Sequence, residues 1–151
     1  MLPGLDYTGI SVVFYCHDGN NNFLFQKRSQ HCRDQKGTWD CGGGKLEFGE
    51  SPQEALMREL KEEYGCSGQI EIILPPISFL EKFDQQDKHW IVLPHIVRVN
   101  REEVKICDER SIEEIGWFKL ASLPQPLHIS IKKELELYGK YFDQYRSSNN
   151  S

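Results

Sequence analysis

The 151-residue sequence has no apolar run near the roughly 18 residues that a bilayer-spanning helix requires, so no membrane span is expected. Residues 1–15 lack a basic start and a small-residue cleavage site, so no secretory signal is expected. Basic residues are in the minority: 18 Lys and Arg against 23 Asp and Glu give a net charge of −5. A chain that coats nucleic acid wants a basic stripe, so stable nucleic-acid binding is not expected. A nucleotide substrate stays compatible with that charge, because a bound cation neutralises phosphates locally. The five cysteines (Cys16, Cys32, Cys41, Cys66 and Cys107) are odd in number and have no paired Cys-x-x-Cys spacing. That gives little support to a disulfide framework or a zinc site and fits a reduced, cytoplasmic chain with free thiols.

What is present is ordinary globular composition, 38% hydrophobic and 27% charged, on a length that suits one domain over 1–151. The ordered core is expected over 7–146, with residues 147–151 (SSNNS) as a flexible tail. Ile10 to Cys16 and Phe23 to Lys27 read as strands joined at Asp18-Gly19-Asn20-Asn21-Asn22, a hairpin signal. The polar run 29–38 reads as a loop, and Trp39 opens a short segment leading to Gly42-Gly43-Gly44. Ser51-Pro52-Gln53-Glu54 is a capping box with proline at the first helical position. Gly65 stands where a left-handed C-terminal cap belongs, so the spacing predicts a helix over 52–64. Ile70 to Leu74, Ile77 to Phe83, Trp90 to Val99 and Ile115 to Leu120 read as strands, with Pro94 marking an edge or a bulge. Leu127 to Tyr145 reads as a second helix, apolar at Ile131, Leu135, Tyr138 and Phe142. Strands interleaved with helices imply an α/β fold, a mixed β-sheet covered by helices.

The first helix carries the chemistry. Glu59, Glu62 and Glu63 stand at i, i+3 and i+4 and share one face. Leu56, Met57, Leu60 and Tyr64 lie on the adjoining face, which should dock on the sheet. Each neighbouring like-charge pair is unfavourable by ~0.2–0.5 kcal/mol if exposed, and by more if partly buried. A hard divalent cation removes that repulsion, and an all-oxygen donor set suits Mg²⁺ or Mn²⁺. Arg58 lies between Glu54 and Glu62 in an i, i+4 ladder and can orient a carboxylate with its planar fork. The glycine run lets backbone approach a metal or phosphate closely.

Gly44, five residues, Glu50, seven residues, Arg58-Glu59-Leu60, one residue, Glu62-Glu63, one residue, Gly65 and Cys66 together resemble a complete Nudix box, and the chain is similar to MutT-type Nudix hydrolases. Trp39, Leu46, Glu47 and Gly49 match the usual surroundings of the box. Two positions depart from the family pattern. Cys66 replaces a terminal aliphatic residue and packs as a small hydrophobe, and Gly42 replaces a proline before the paired glycines, which loosens the turn. The resemblance implies a Nudix fold, with the sheet between helices, and metal-assisted attack of water on a diphosphate bridge in a nucleoside diphosphate linked to another group. It implies Glu59, Glu62, Glu63 and the Gly43 carbonyl as metal ligands. Glu59 becomes the base that activates water, with Arg58 orienting it. Glu50 and Glu113 are candidates for an additional ligand or base; Glu109 and Glu114 lie in the same acidic stretch as Glu113.

The substrate is less legible. The downstream and upstream signals of the ADP-ribose, NADH and coenzyme A groups are missing or misplaced. The short form resembles enzymes that convert a nucleoside triphosphate to the monophosphate and pyrophosphate. Phe83, Trp90 and His128 are the expected substrate contacts, and Phe79 and His95 could also wall a base pocket. Alternatives are an ADP-ribose or other nucleoside-diphosphate-derivative pyrophosphatase, a non-catalytic nucleotide sensor, an isoprenoid diphosphate isomerase using Cys41, and an RNA-end pyrophosphatase. Family members are often homodimers, and no seam is readable in this sequence.

Overall fold

The computed structural model describes residues 1–146, and Phe83 by its backbone alone; the tail expected at 147–151 lies outside the described residues. Eight strands form one sheet: β1 (Gly9–His17), β2 (Phe23–Arg28), β3 (Trp39–Asp40), β4 (Gly43–Lys45), β5 (Gly68–Ile73), β6 (Ile77–Phe83), β7 (Gln86–Val99) and β8 (Ile112–Phe118). Two α-helices flank it, α1 (Pro52–Tyr64) and α2 (Ile129–Leu137). The sheet is mixed, as expected. β1 and β7 run parallel from Gly9↔Trp90 to His17↔Arg98, and the other pairings are antiparallel.

Alternation along the central strands sorts the core into two layers, as a period of two dictates. Val12, Phe14 and Cys16 of β1 join Leu24, Val97 and Val99 beneath Leu56, Leu60 and Tyr64 of α1. Tyr15 faces the other way, with Phe23, Phe25 and Ile96, against Ile131, Tyr138 and Phe142. Each fully buried Leu of α1 contributes ~1.5–3 kcal/mol relative to exposure. Cys66 is buried in the α1 layer and packs as a small hydrophobe.

Both central strands change partners part-way. β1 pairs with β4 at Ser11–Val13 and meets β2 only at His17↔Phe23; between them, Phe14 N–H donates to the Gly42 carbonyl at 3.2 Å. The sheet therefore forks at Gly42. β7 pairs with β6 through Val92 and with β5 from His95. Pro94 sits at that changeover, and its carbonyl accepts from Leu74 N–H at 2.9 Å. Pro94 is thus on a central strand rather than an edge, at the one place where a missing N–H breaks neither ladder. The bulge lies instead in β5, between Ile70 and Ile72.

Three further differences from the sequence reading have local causes. β7 starts four residues before Trp90, because Asp84 and Gln85 adopt positive φ (55° and 64°) and close a two-residue turn between Phe83 and Gln86. β8 starts at Ile112 and stops at Phe118, so Glu113 and Glu114 lie on a strand paired with β2 rather than in a loop. The second helix is α-helical only to Leu137; Gly139 follows Tyr138, and the chain tightens to 3₁₀ over Gly139–Tyr145.

Helix α1 has the expected bounds. Ser51 accepts from Glu54 N–H at 3.1 Å, and Glu54 accepts from Ser51 N–H at 2.8 Å. Gly65 closes the helix at φ 68° and donates to the Lys61 carbonyl. A Cβ there would also lie 3.1 Å from Cys107 Sγ and 3.2 Å from Lys105 Cε. Gly65→Ala is expected to destabilise the protein by about 1 kcal/mol or more and lower its melting temperature by a few degrees. Thermal unfolding checks this, and an unchanged midpoint would count against the cap.

Candidate active site

Arg58 organises the acidic face of α1. Its Nε and Nη2 grip both oxygens of Glu50 at 3.0 and 2.6 Å, and Nη2 also donates to the Lys45 carbonyl at 3.0 Å. Its Nη1 donates to Glu59 at 2.7 Å and to Glu62 at 3.4 Å. The expected ladder to Glu54 is absent among the described residues, since Glu54 caps the helix instead. Glu50 is therefore the guanidinium's bidentate partner, which holds its carboxyl below the usual range. Glu113 lies elsewhere, paired with Lys27 at 3.5 Å.

The acids of α1 sit in three different environments. Glu62 is 58% exposed in its side chain. Glu59 is mostly buried and lies against Gly44, where a Cβ would fall 2.2 Å from its carboxyl carbon. Only glycine permits that approach. Glu63 is buried, contrary to a purely solvent-facing acidic face: it is three residues past Leu60 and seven past Leu56, on the stripe that docks. Its Oε1 is buried and has no hydrogen-bond partner among the described residues. Burial pushes the Glu63 carboxyl well up, with the Glu59 charge adding to it; burial also raises Glu59, opposed by Arg58. Gly42 stands at φ 106°, a value closed to a proline, with a Cβ position 3.1 Å from Glu63 Oε1.

Glu59, Glu62, Glu63 and Gly43 line one cleft of about 630 Å³, together with Gln26 and Arg28. Among the described residues no three His, Cys, Asp or Glu side chains converge on one point as ligands to a metal do. Arg58 occupies Glu59, and Glu62 faces solvent. The donor set nevertheless fits a hard cation: carboxylates only, a backbone carbonyl strand beside them, and a buried oxygen still lacking a partner.

A second cavity of about 540 Å³ adjoins the first and shares Gln26, Arg28 and Gly43 with it. His128 and Trp90 border it, as do Phe79 and Glu134. The Trp90 ring itself is packed under Gly4 and Gly9, whose Cβ positions would fall 2.3 and 2.5 Å from it. His128 caps α2, with Nδ1 accepting from Ser130 N–H at 3.1 Å. Phe83 pairs with Gln86 at the β6–β7 turn, and its side chain lies outside the description. His95 is buried and borders neither cavity. Cys41 is fully buried and burial pushes its thiol well up, which disfavours a reactive thiolate. The sequence reading missed Glu134. It occupies the apolar stripe of α2, three residues past Ile131 and four before Tyr138, and that anomaly was readable.

The NUDIX domain model matches residues 8–138. The chain is 30% identical over 140 residues to the 8-oxo-dGDP phosphatase NUDT18 of Homo sapiens, covering 91% of this chain and 40% of that protein. It is 44% identical over 56 residues to an 8-oxo-dGTP diphosphatase of Proteus vulgaris, covering 37% of this chain and 48% of that one. The chain thus spans about two fifths to half of the length of these relatives. Its fold superposes on a MutT NUDIX hydrolase from Burkholderia pseudomallei with a TM-score of 0.74 at 24% identity, over 85% of this chain and 95% of that one.

The buried acids give a test of the geometry without any substrate. In the unfolded chain both carboxyls ionise near ~4.3. Folded, both are raised, so the native state holds extra protons above that value. The stability they contribute is complete below the ordinary value and is lost as pH rises through the raised one. In chelator, the protein is expected to melt higher near about pH 5 than near about pH 8. Glu63→Gln should melt above the parent at the higher pH and remove much of the slope. Identical slopes in the two proteins would overturn the buried-charge account.

Proposed function

The chain belongs to the NUDIX domain family, and from that premise we propose that it is a divalent-metal-dependent hydrolase of the diphosphate bridge in a nucleotide. Glu63 carries the reading: a buried acid with an unpartnered oxygen, in a cleft with Glu59 and Glu62, is the arrangement a cation relieves. Glu59, Glu62, Glu63 and the Gly43 carbonyl would hold Mg²⁺ or Mn²⁺. When bound, such an ion neutralises the bridge charge, polarises the phosphoryl group and makes a coordinated water more acidic.

The protein's own groups do the rest. Glu59 takes the proton of the attacking water at its carboxylate, and partial burial makes it a stronger base than a surface acid. Arg58 fixes the direction of Glu59 at 2.7 Å, and Glu50 fixes Arg58. The second cavity takes the nucleoside, with Phe79 as an aromatic wall and Gln26 and Arg28 at the junction with the diphosphate. We propose a nucleoside triphosphate as substrate, giving the monophosphate and pyrophosphate. The relatives named for 8-oxo-dGDP and 8-oxo-dGTP make oxidised purine deoxynucleotides, as di- or triphosphates, the first compounds to assay. The free thiols of all five cysteines favour a reducing compartment such as the cytoplasm.

The assay is phosphate and pyrophosphate release with Mg²⁺ or Mn²⁺ across canonical and oxidised nucleoside di- and triphosphates, ADP-ribose, NADH and a nucleotide sugar. Turnover of at least one is expected. Glu62→Gln should lower it by on the order of a hundredfold while shifting the melting temperature by no more than about 2 °C, because that side chain is exposed. Full activity in this variant would remove Glu62 from the metal site. Turnover of nothing on the panel by the parent would overturn the hydrolase reading.

A further inference from the structure

Resting on that nucleotide reading, we propose that Glu134 selects the base. It presents a neutral carboxyl whose proton is donated to a hydrogen-bond acceptor on the nucleobase edge in the second cavity.

Glu134 is 1% exposed, yet it borders that cavity from α2. The Tyr15 hydroxyl donates to its Oε1 at 2.8 Å, which pins one oxygen. Among the described residues the carboxyl has no second hydrogen-bond partner, so its other oxygen is left for whatever fills the cavity. A fully buried acid is unfavourable unless something satisfies it. Two cations of the cavity wall are engaged with other acids. Arg28 is paired with Asp34 at 3.1 Å and Asp40 at 3.3 Å, and Lys88 with Asp34 at 3.3 Å.

The groups acting on Glu134 from the elements packed against it are Tyr15 of β1, Asp40 of β3 with Cys41 beside it, and Tyr138 of its own helix. Asp40 repels a charge on Glu134, and Tyr15 favours it. Burial, with Asp40 adding to it, outweighs Tyr15 and pushes the carboxyl up to about 8. At neutral pH Glu134 therefore holds its proton. A neutral carboxyl offers a donor beside an acceptor, whereas a carboxylate only accepts. A nucleobase carbonyl or ring nitrogen next to an N–H complements the first and is repelled by the second. The lactam edges of guanine, thymine and the oxidised purines have that pattern through a carbonyl, and adenine and cytosine have it through a ring nitrogen beside the amino group.

The test is calorimetric binding of five deoxynucleoside monophosphates, those of guanine, 8-oxoguanine, adenine, cytosine and thymine, without metal at about pH 6.5 and about pH 9.5. For the preferred base, Kd of the parent should weaken about thirtyfold at the higher pH beyond the base's own titration, because only the protonated fraction of Glu134 binds. Glu134→Gln keeps a donor and an acceptor at every pH, so it should bind well at both and show only the base's own titration. Glu134→Leu, of similar size, should bind weakly at both, with its melting temperature reporting that it is folded. Tyr15→Phe removes a bond that favours the charged form and should move the loss to higher pH. A parent whose binding does not depend on pH, a Glu134→Gln variant that titrates like the parent, or no binding of any monophosphate would each overturn the inference. Hydrolysis by the same preparation with Mg²⁺ reports separately on the diphosphate chemistry, so a failure of one is distinguishable from a failure of the other.

Discussion

Arg58 is the interaction on which the site depends, because acids of α1 and of the loop before it crowd together and their like charges need a fixed counter-charge. Its guanidinium grips Glu50 with two bonds, steers Glu59 and touches Glu62. The same fork donates to the Lys45 carbonyl, tying the end of β4 to the helix. One side chain thus fixes the loop before α1, the strand beside it and the acid that faces the cleft. A lysine could not do this, since its ammonium is a point charge without a planar fork. Arg58 does not reach Glu63, and the buried oxygen there is the part of the site left unsatisfied.

The position of that cluster follows from the sheet. β1 leaves β4 after Val13 and meets β2 at His17, and between the two Gly42 accepts from Phe14. Forking opens space between two strands that would otherwise be filled by a ladder, and both cavities meet there at Gln26, Arg28 and Gly43. The α1 layer beneath is tightly packed, and the buried Tyr64 hydroxyl donates to Gln26, so the helix face and the fork are held in one register. Positioning by a packed core is what keeps a reacting geometry fixed.

Much of this was readable from residues alone where one local rule dominates. The capping box, Pro52 and Gly65 bound α1 at both ends, since each feature acts within a turn of the helix. The strand read as Phe23 to Lys27 runs to Arg28 and Ile77–Phe83 has the bounds read, because aromatic residues follow a clear turn in one and a proline pair in the other. The misreadings arise where tertiary context decides. Asp84 and Gln85 form a tight turn without glycine. Tyr138 and Gly139 tighten a helix whose apolar stripe continues unbroken. The acids were harder still, because a sequence gives spacing but not depth. Glu50 is matched to Arg58 across eight residues, Glu113 is drawn to Lys27 across the sheet, and Glu63 and Glu134 are inside. For the last two the signal was an acid at a position the helical period reserves for an apolar side chain.

Those two buried acids obey one rule and resolve it in opposite ways. Burial disfavours the charge on each, so each needs either a proton or a cation. Glu63 stands with Glu59 and Glu62 at a cleft open to water, the setting for which a cation is proposed. Glu134 stands with a single phenolic donor and a like charge at Asp40, and Arg28 and Lys88 of its cavity are engaged with other acids. A lone acid in that setting keeps its proton. The division places a charge-collecting site beside a hydrogen-bonding one, joined at Arg28 and Gly43. A nucleotide has the same division, a charged phosphate chain at one end and an uncharged base with donors and acceptors at the other.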